Sequence, residues 1–327
     1  MPVISYIDAV TQALQEEMKR DSRVFVLGED VGVRGGVFRA TAGLYEEFGP
    51  ERVLDTPLTE SAIVGVSIGA AAYGKRPVAE IQFADFIMPA VNQIVSEAAK
   101  IRYRSNGDWT CPLVIRAPYG GGVHGALYHS QSVEKMFNGV PGLKIVMPST
   151  PYDVKGLLKA AIRDEDPVLF FEHKRCYRLI KGEVPVEDYT LPIGKADVKR
   201  EGDDVTVISY GLTLHFALQA AEMLEKEGIS VHVLDLRTIL PLDKEAIIEA
   251  AAKTGKVLIV HEDNLTGGVG GEVAALIAQE AFFELDAPVQ RLCGPDVPAM
   301  PYSPTMEKEF MLNPEKIANA IRELAEF

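Results

Sequence analysis

The chain reads as an α/β protein built from two doubly wound domains. Short apolar strands alternate with amphipathic helices along most of its length, which implies parallel sheets covered on both faces. A charged, Pro-containing stretch interrupts that alternation past the middle, and 327 residues suffice for two domains of ~100–200 residues each.

Taken in order, residues 4–20 carry Tyr6, Ile7, Val10, Leu14 and Met18 on one face, the spacing of an amphipathic helix. Residues 24–27 form an apolar strand that ends in Gly28-Glu29-Asp30, and a Gly-rich loop follows to Gly36. Residues 61–73 read as a small-residue helix closed by Gly74, with Pro77 beyond it. A strand at 78–83 leads past Pro89 into a helix that reaches Tyr103. Strands at 113–117, 144–147 and 168–171 and a helix at 153–163 complete the first half. Residues 173–203 lose periodicity. The second half resumes with strands at 205–209, 230–234 and 257–260, and with helices at 213–227, 243–253 and 271–281. Five prolines between Pro288 and Pro304 precede a terminal helix at 314–326. The expected division is 1–185, a linker at 186–203, and 204–327.

Hydrophobic residues make up 47% and charged residues 24%, which excludes a disordered chain. No run reaches the ~18 apolar residues of a membrane span, and the N-terminal residues lack the pattern of a secretory signal. Cys111, Cys176 and Cys293 are too scattered for a disulfide framework or a structural zinc site, so a reducing cytoplasm is expected. The net charge of −14 repels phosphate backbones and argues against a nucleic-acid partner.

Four motifs bear on chemistry. Gly69-Ala-Ala-Ala-Tyr-Gly-Lys75 approaches a P-loop, but Arg76 replaces the hydroxyl that would hold magnesium, and the stretch ends a helix instead of opening one. Gly267-Gly-Val-Gly-Gly271 lacks the last small residue of a dinucleotide loop, because Val273 stands there, and reads better as a turn entering a helix. His124 and His129 follow a triple glycine. They read either as unrelated loop histidines or as imidazoles placed to meet a substrate, with no third ligand nearby for zinc. Glu60, after Thr56-Pro-Leu-Thr, sits where an acid ordinarily complements a helix dipole.

Taken together, Val26-Leu-Gly-Glu-Asp-Val-Gly32, Asp55-Thr-Pro-Leu-Thr-Glu60, Glu80-Ile-Gln-Phe-Ala-Asp-Phe86, Tyr128-His-Ser-Gln131, Ile162-Arg-Asp-Glu-Asp-Pro167 and Asp235-Leu-Arg-Thr238 occur in one family's order. The chain resembles, over essentially its whole length, the beta subunits of thiamine-diphosphate-dependent 2-oxo acid dehydrogenase complexes. Its wording lies nearer the branched-chain (2-oxoisovalerate) members than the pyruvate or acetoin members.

The resemblance implies a transketolase-like pyrimidine-binding domain followed by a transketolase C-terminal domain. It also implies assembly with an alpha subunit into a heterotetramer of two alpha and two beta chains. The alpha chain would hold magnesium and the cofactor's diphosphate through a Gly-Asp-Gly motif, which this sequence lacks. Further implied partners are the subunit-binding and lipoyl domains of a dihydrolipoyl acyltransferase.

Residue by residue, Glu60 would bind the aminopyrimidine nitrogen of thiamine diphosphate and drive it to its imino form. Leu58, Gln82 and Phe86 would surround the ring. His129 would face the acyl group and serve as a proton donor when the lipoyl group is acylated. A potassium site near the backbone oxygens of Leu113 and Ala161, with Asp164 and Asp166, is implied as well. A scaffold that only joins an alpha chain to the complex would need neither Glu60 nor His129.

Overall fold

The first helix begins at Tyr6, two residues later than periodicity suggests, and runs to Arg20. Ser5 sets the boundary by a reciprocal capping box. Its Oγ accepts the Asp8 N–H at 3.3 Å while the Asp8 carboxylate accepts the Ser5 N–H at 3.4 Å. Val3–Ser5 instead pairs antiparallel with Lys181–Glu183. The helix packs on Pro151–Arg163, and a ladder of ions joins the two. Lys155 and Lys159, both buried, reach Glu16 at 2.7 and 2.6 Å, and Arg163 reaches Glu17 at 2.6 Å.

The computed structural model describes all 327 residues. They form two units, Met1–Tyr119 with Met136–Ile193, and Gly120–Lys135 with Gly194–Phe327. The segment expected as a linker is divided between them. Leu191 donates its N–H to the Gly156 carbonyl in the first unit, whereas Asp197–Arg200 is an edge strand of the second.

In the first unit the parallel strands stand side by side in the order Lys144–Val146, Val168–His173, Val114–Tyr119, Arg76–Glu80, Val24–Gly28, Val53–Asp55. Chain order reverses between Val24–Gly28 and Arg76–Glu80, and open α/β sheets bind ligands beyond the carboxyl ends of the strands at such a switch point. At the core of this sheet lies Arg116, fully buried. It is bound by Glu80 at 2.6 Å and by both oxygens of Glu172 at 2.7 Å, and the Tyr177 hydroxyl donates to Glu172 at 2.6 Å. The loop after Gly28 lies against Glu80. A Cβ on Gly28 would stand 2.6 Å from the Glu80 carbonyl oxygen, which accounts for the glycine.

The second unit orders its strands Gln290–Gly294, Val257–Asn264, Val205–Ser209, Val231–Asp235, Asp197–Arg200, with only the last antiparallel. Its reversal lies between Val205–Ser209 and Val257–Asn264. The helices Leu212–Glu225 and Pro314–Ala325 bury Leu214, Ala217, Ala221, Ile317, Ile321 and Leu324 against that sheet.

The helix expected beyond Pro89, reaching Tyr103, is broken into short pieces. Ala84–Ala90 is a 3-10 helix, Gln93–Ala98 has π-helical bonding and Ile101–Arg104 is a single turn. Pro89 lies inside the 3-10 segment, where its missing N–H removes one i to i−4 bond. No helix is long and apolar enough to cross a membrane.

Candidate active site

Strand ends place the first group of residues. Glu29 follows the strand Val24–Gly28 and Gln82 follows Arg76–Glu80, so the two flank the switch point of the first sheet. Gln82 donates to the Asp30 carboxylate at 3.2 Å and toward the Glu29 carbonyl at 3.5 Å. Asp30 adopts the left-handed conformation, with φ 59°.

Glu60 opens the helix Glu60–Ala72 and is buried, at 8% exposure. Glu29, 7% exposed, lies within its field. Burial first, then the charge of Glu60, pushes the Glu29 carboxyl above its ordinary range, against the opposing hydrogen bond from the Thr59 N–H. A buried acidic pair at a helix N-terminus exceeds what the dipole alone calls for. Leu58 projects beside it, 80% exposed, and the Thr56 hydroxyl is buried without a hydrogen-bond partner. Phe86 is half-buried and meets Phe83 edge-on at 5.6 Å.

Paired carboxyls, a buried hydroxyl lacking its partner, an amide and exposed apolar side chains suit the polar edge and flat face of an aminopyrimidine. The residues present fit the ring half of thiamine diphosphate. Glu29 and Thr56 escaped sequence reasoning, although the position of Glu29 just past a predicted strand was a usable signal.

Asp164 and Asp166, expected beside potassium, pair with cationic side chains. Both oxygens of Asp164 lie 2.7 Å from Lys144 Nζ, and Asp166 pairs with Arg102 at 2.7 Å. The Ala161 carbonyl accepts the Asp164 N–H and the Leu113 carbonyl accepts the Val168 N–H.

His129 belongs to the second unit and is half-buried just after the turn Ala126–Tyr128. The segment that carries it is anchored by acids. Glu262 accepts the Gly121 N–H at 2.6 Å, and Glu307 accepts those of Gly122 and His124 at 3.0 and 3.2 Å. Its far end is held by Glu134, fully buried, which accepts the Tyr210 hydroxyl at 2.9 Å.

Burial first, then the negative field of Asp263 and Glu262, pushes the Glu134 carboxyl from 4.5 to about 8, against the Tyr210 hydrogen bond. The folded form therefore keeps a proton that the unfolded chain releases. Its stabilising contribution is complete below about pH 4.5 and is lost as pH rises through about 8. Glu134→Gln should flatten this dependence. Thermal melts at pH 5 and pH 8.5 should differ less in the variant than in the wild type, by an amount on the order of a few kcal/mol.

The glycine-rich stretch before the helix Val269–Glu280 has a structural role. The His261 ring accepts the Gly270 N–H at 3.1 Å, and a Cβ on Gly268 would lie 2.6 Å from that ring. Gly74, with φ 92°, is the expected helix cap.

Comparison with known proteins places both units in one family. The transketolase pyrimidine-binding domain matches residues 3–180 and the transketolase C-terminal domain matches residues 194–317. The chain is 77% identical to the 2-oxoisovalerate dehydrogenase subunit beta of Bacillus subtilis, over all of both chains. It is 48% identical, also over all of both, to the pyruvate dehydrogenase E1 component subunit beta of the same organism. A solved split-gene transketolase, described as an inactive beta4 tetramer, superposes with a TM-score of 0.80 at 26% identity, covering 99% of this chain and 98% of that one. The chain belongs to the transketolase family, in the branch formed by the beta subunits of 2-oxo acid dehydrogenases.

Proposed function

We propose that this chain is the beta subunit of the decarboxylating component of a branched-chain 2-oxo acid dehydrogenase, acting on 2-oxoisovalerate-type acids and passing the acyl group to a lipoyl arm. The observation that carries the reading is the buried Glu29–Glu60 pair at the switch point of the first sheet. A scaffold has no use for it, because two acids buried together cost stability. The branched-chain assignment rests on 77% identity against 48% for the pyruvate relative.

Thiamine diphosphate, when bound, supplies a carbon nucleophile and an electron sink for decarboxylation. Glu60 would hold the proton at the pyrimidine nitrogen, and Glu29 would keep a second proton within reach. Gln82, Leu58 and Phe86 would orient the ring and exclude water from it. His129 would deliver the proton that a lipoyl sulfur takes up as its disulfide opens.

The chain provides one half of the site, and the alpha subunit would bring the diphosphate and magnesium half. An apolar stripe along the helix Glu60–Ala72 supports such a partner. Ala62, Val66 and Gly69 are exposed at helical spacing, and Tyr73 continues the line. The acidic surplus suits a basic subunit-binding domain of the acyltransferase, held less tightly at high salt. The free cysteines support a cytoplasmic location.

Production with and without a matching alpha chain tests the reading. Alone, the chain should show negligible turnover. The assembled enzyme should favour 2-oxoisovalerate over pyruvate by about tenfold or more in kcat/KM, a discrimination within reach of an apolar pocket. A preference for pyruvate overturns the branched-chain assignment, and robust activity of the chain alone overturns the shared site.

A further inference from the structure

The backbone from Gly120 to Ala126 adopts positive φ at every second residue: Gly120 at 87°, Gly122 at 77°, His124 at 56° and Ala126 at 53°. Two of these carry side chains, and a non-glycine residue held there costs on the order of 1–3 kcal/mol unless its surroundings over-determine it. What over-determines them is visible. Alternating handedness turns successive N–H groups toward one side and forms a concavity that binds anions. Here the anions come from the chain itself.

Glu307, 3% exposed on the helix Pro304–Phe310, places one oxygen at 3.0 Å from the Gly122 nitrogen and 3.2 Å from that of His124. Its other oxygen lies 2.5 Å from Nδ1 of the same His124. Gly125 carries the constraint onward, since a Cβ there would stand 2.6 Å from the His129 carbonyl oxygen and 2.8 Å from the His129 Cβ. His124 and His129 are thus two ends of one closed turn, and Glu307 grips the first end twice and Gly122 just before it once.

We propose that Glu307 is a positioning residue, which fixes the turn presenting His129 and thereby governs acyl transfer to the lipoyl group more than decarboxylation. The proposal rests on the function argued above. No reacting atom needs to touch Glu307. Misplacing a proton donor by about 1 Å is enough to cost up to ~10²-fold in the step it serves.

The test uses the enzyme assembled with its alpha chain and a free lipoyl domain, with Glu307→Ala and Glu307→Gln. In Glu307→Ala, kcat for lipoyl acylation should fall about tenfold or more, as a displaced donor requires. KM for the lipoyl domain and decarboxylation with an artificial electron acceptor should stay within about twofold. Amide exchange across residues 120–130 should accelerate about tenfold, while the strand Val205–Ser209 keeps its protection. Glu307→Gln keeps an oxygen for the two amides, so protection and acylation should recover together. Three outcomes overturn the proposal: wild-type acylation in Glu307→Ala, equal loss of both activities, or acylation lost in either variant with exchange unchanged. Should Glu307→Ala fail to fold, the joint recovery or its absence in Glu307→Gln decides. If the wild-type assembly does not acylate the lipoyl domain, the functional reading fails, whereas the exchange result still judges the grip of Glu307 on the turn.

Discussion

Glu60→Gln in the assembled enzyme should retain the tetramer and the cofactor yet lose on the order of 10²–10⁴ in turnover, the usual range for a positioned acid or base. Gln preserves size and hydrogen bonding but cannot exchange the proton, so packing and chemistry separate. Were Glu60 present only for the helix dipole, its replacement would shift stability by ~0.3–1 kcal/mol and leave turnover intact. The two accounts differ by orders of magnitude in rate. The burial of Glu60 favours the chemical one, because a dipole-complementing acid gains nothing from losing its water, and Glu29 beside it adds repulsion. Hydrogen–deuterium exchange at the reactive carbon of bound thiamine diphosphate is the direct measurement. It should slow in step with turnover, and exchange at the wild-type rate would return Glu60 to the dipole.

Gly69→Leu should abolish the heterotetramer while leaving the chain itself at least as stable. The helix Glu60–Ala72 is apolar on all sides, a pattern that belongs in an interior, yet one side of it faces solvent here. Small residues along that side let a second backbone approach closely, and a leucine in the stripe holds it off. Nothing lies within 4 Å of a Cβ built on Gly69, so the substitution meets no clash within the chain. Removing a glycine from a helix interior also relieves about 0.8–1.0 kcal/mol. Light scattering of the co-produced complex should show the beta chain separated from alpha, with its own melting temperature unchanged or raised. An intact tetramer would place the alpha subunit elsewhere.

The sequence exposes most of the parallel core because its strands are short apolar runs between turn residues, as with Val205–Ser209 and Val231–Asp235. Local capping chemistry moved the first helix boundary to Tyr6, which periodicity alone does not register. The edge strand Asp197–Arg200 was invisible for a different reason: charged side chains at a sheet margin resemble a linker. Glu60 was legible through its motif, but the acid that gives it meaning was not. Glu29 meets it only because Thr59 and the strand end at Gly28 are brought together by the fold. Glu307 lies more than 180 residues from its partners, on a short helix just past the proline-rich stretch, so only tertiary structure reveals it.

The ion cluster around Arg116 also restricts how this sequence can drift. Removing one member strands the others as uncompensated buried charge, at about 3–5 kcal/mol, whereas exchanging the whole set for apolar residues of equal volume is often neutral or better. Both end states are viable, and the single steps between them are not. Arg116, Glu80 and Glu172 therefore stand or fall as a block, and Gly28, packed on the Glu80 backbone, depends on the same arrangement. A single substitution at the cluster should therefore be far more costly than the simultaneous replacement of all its members.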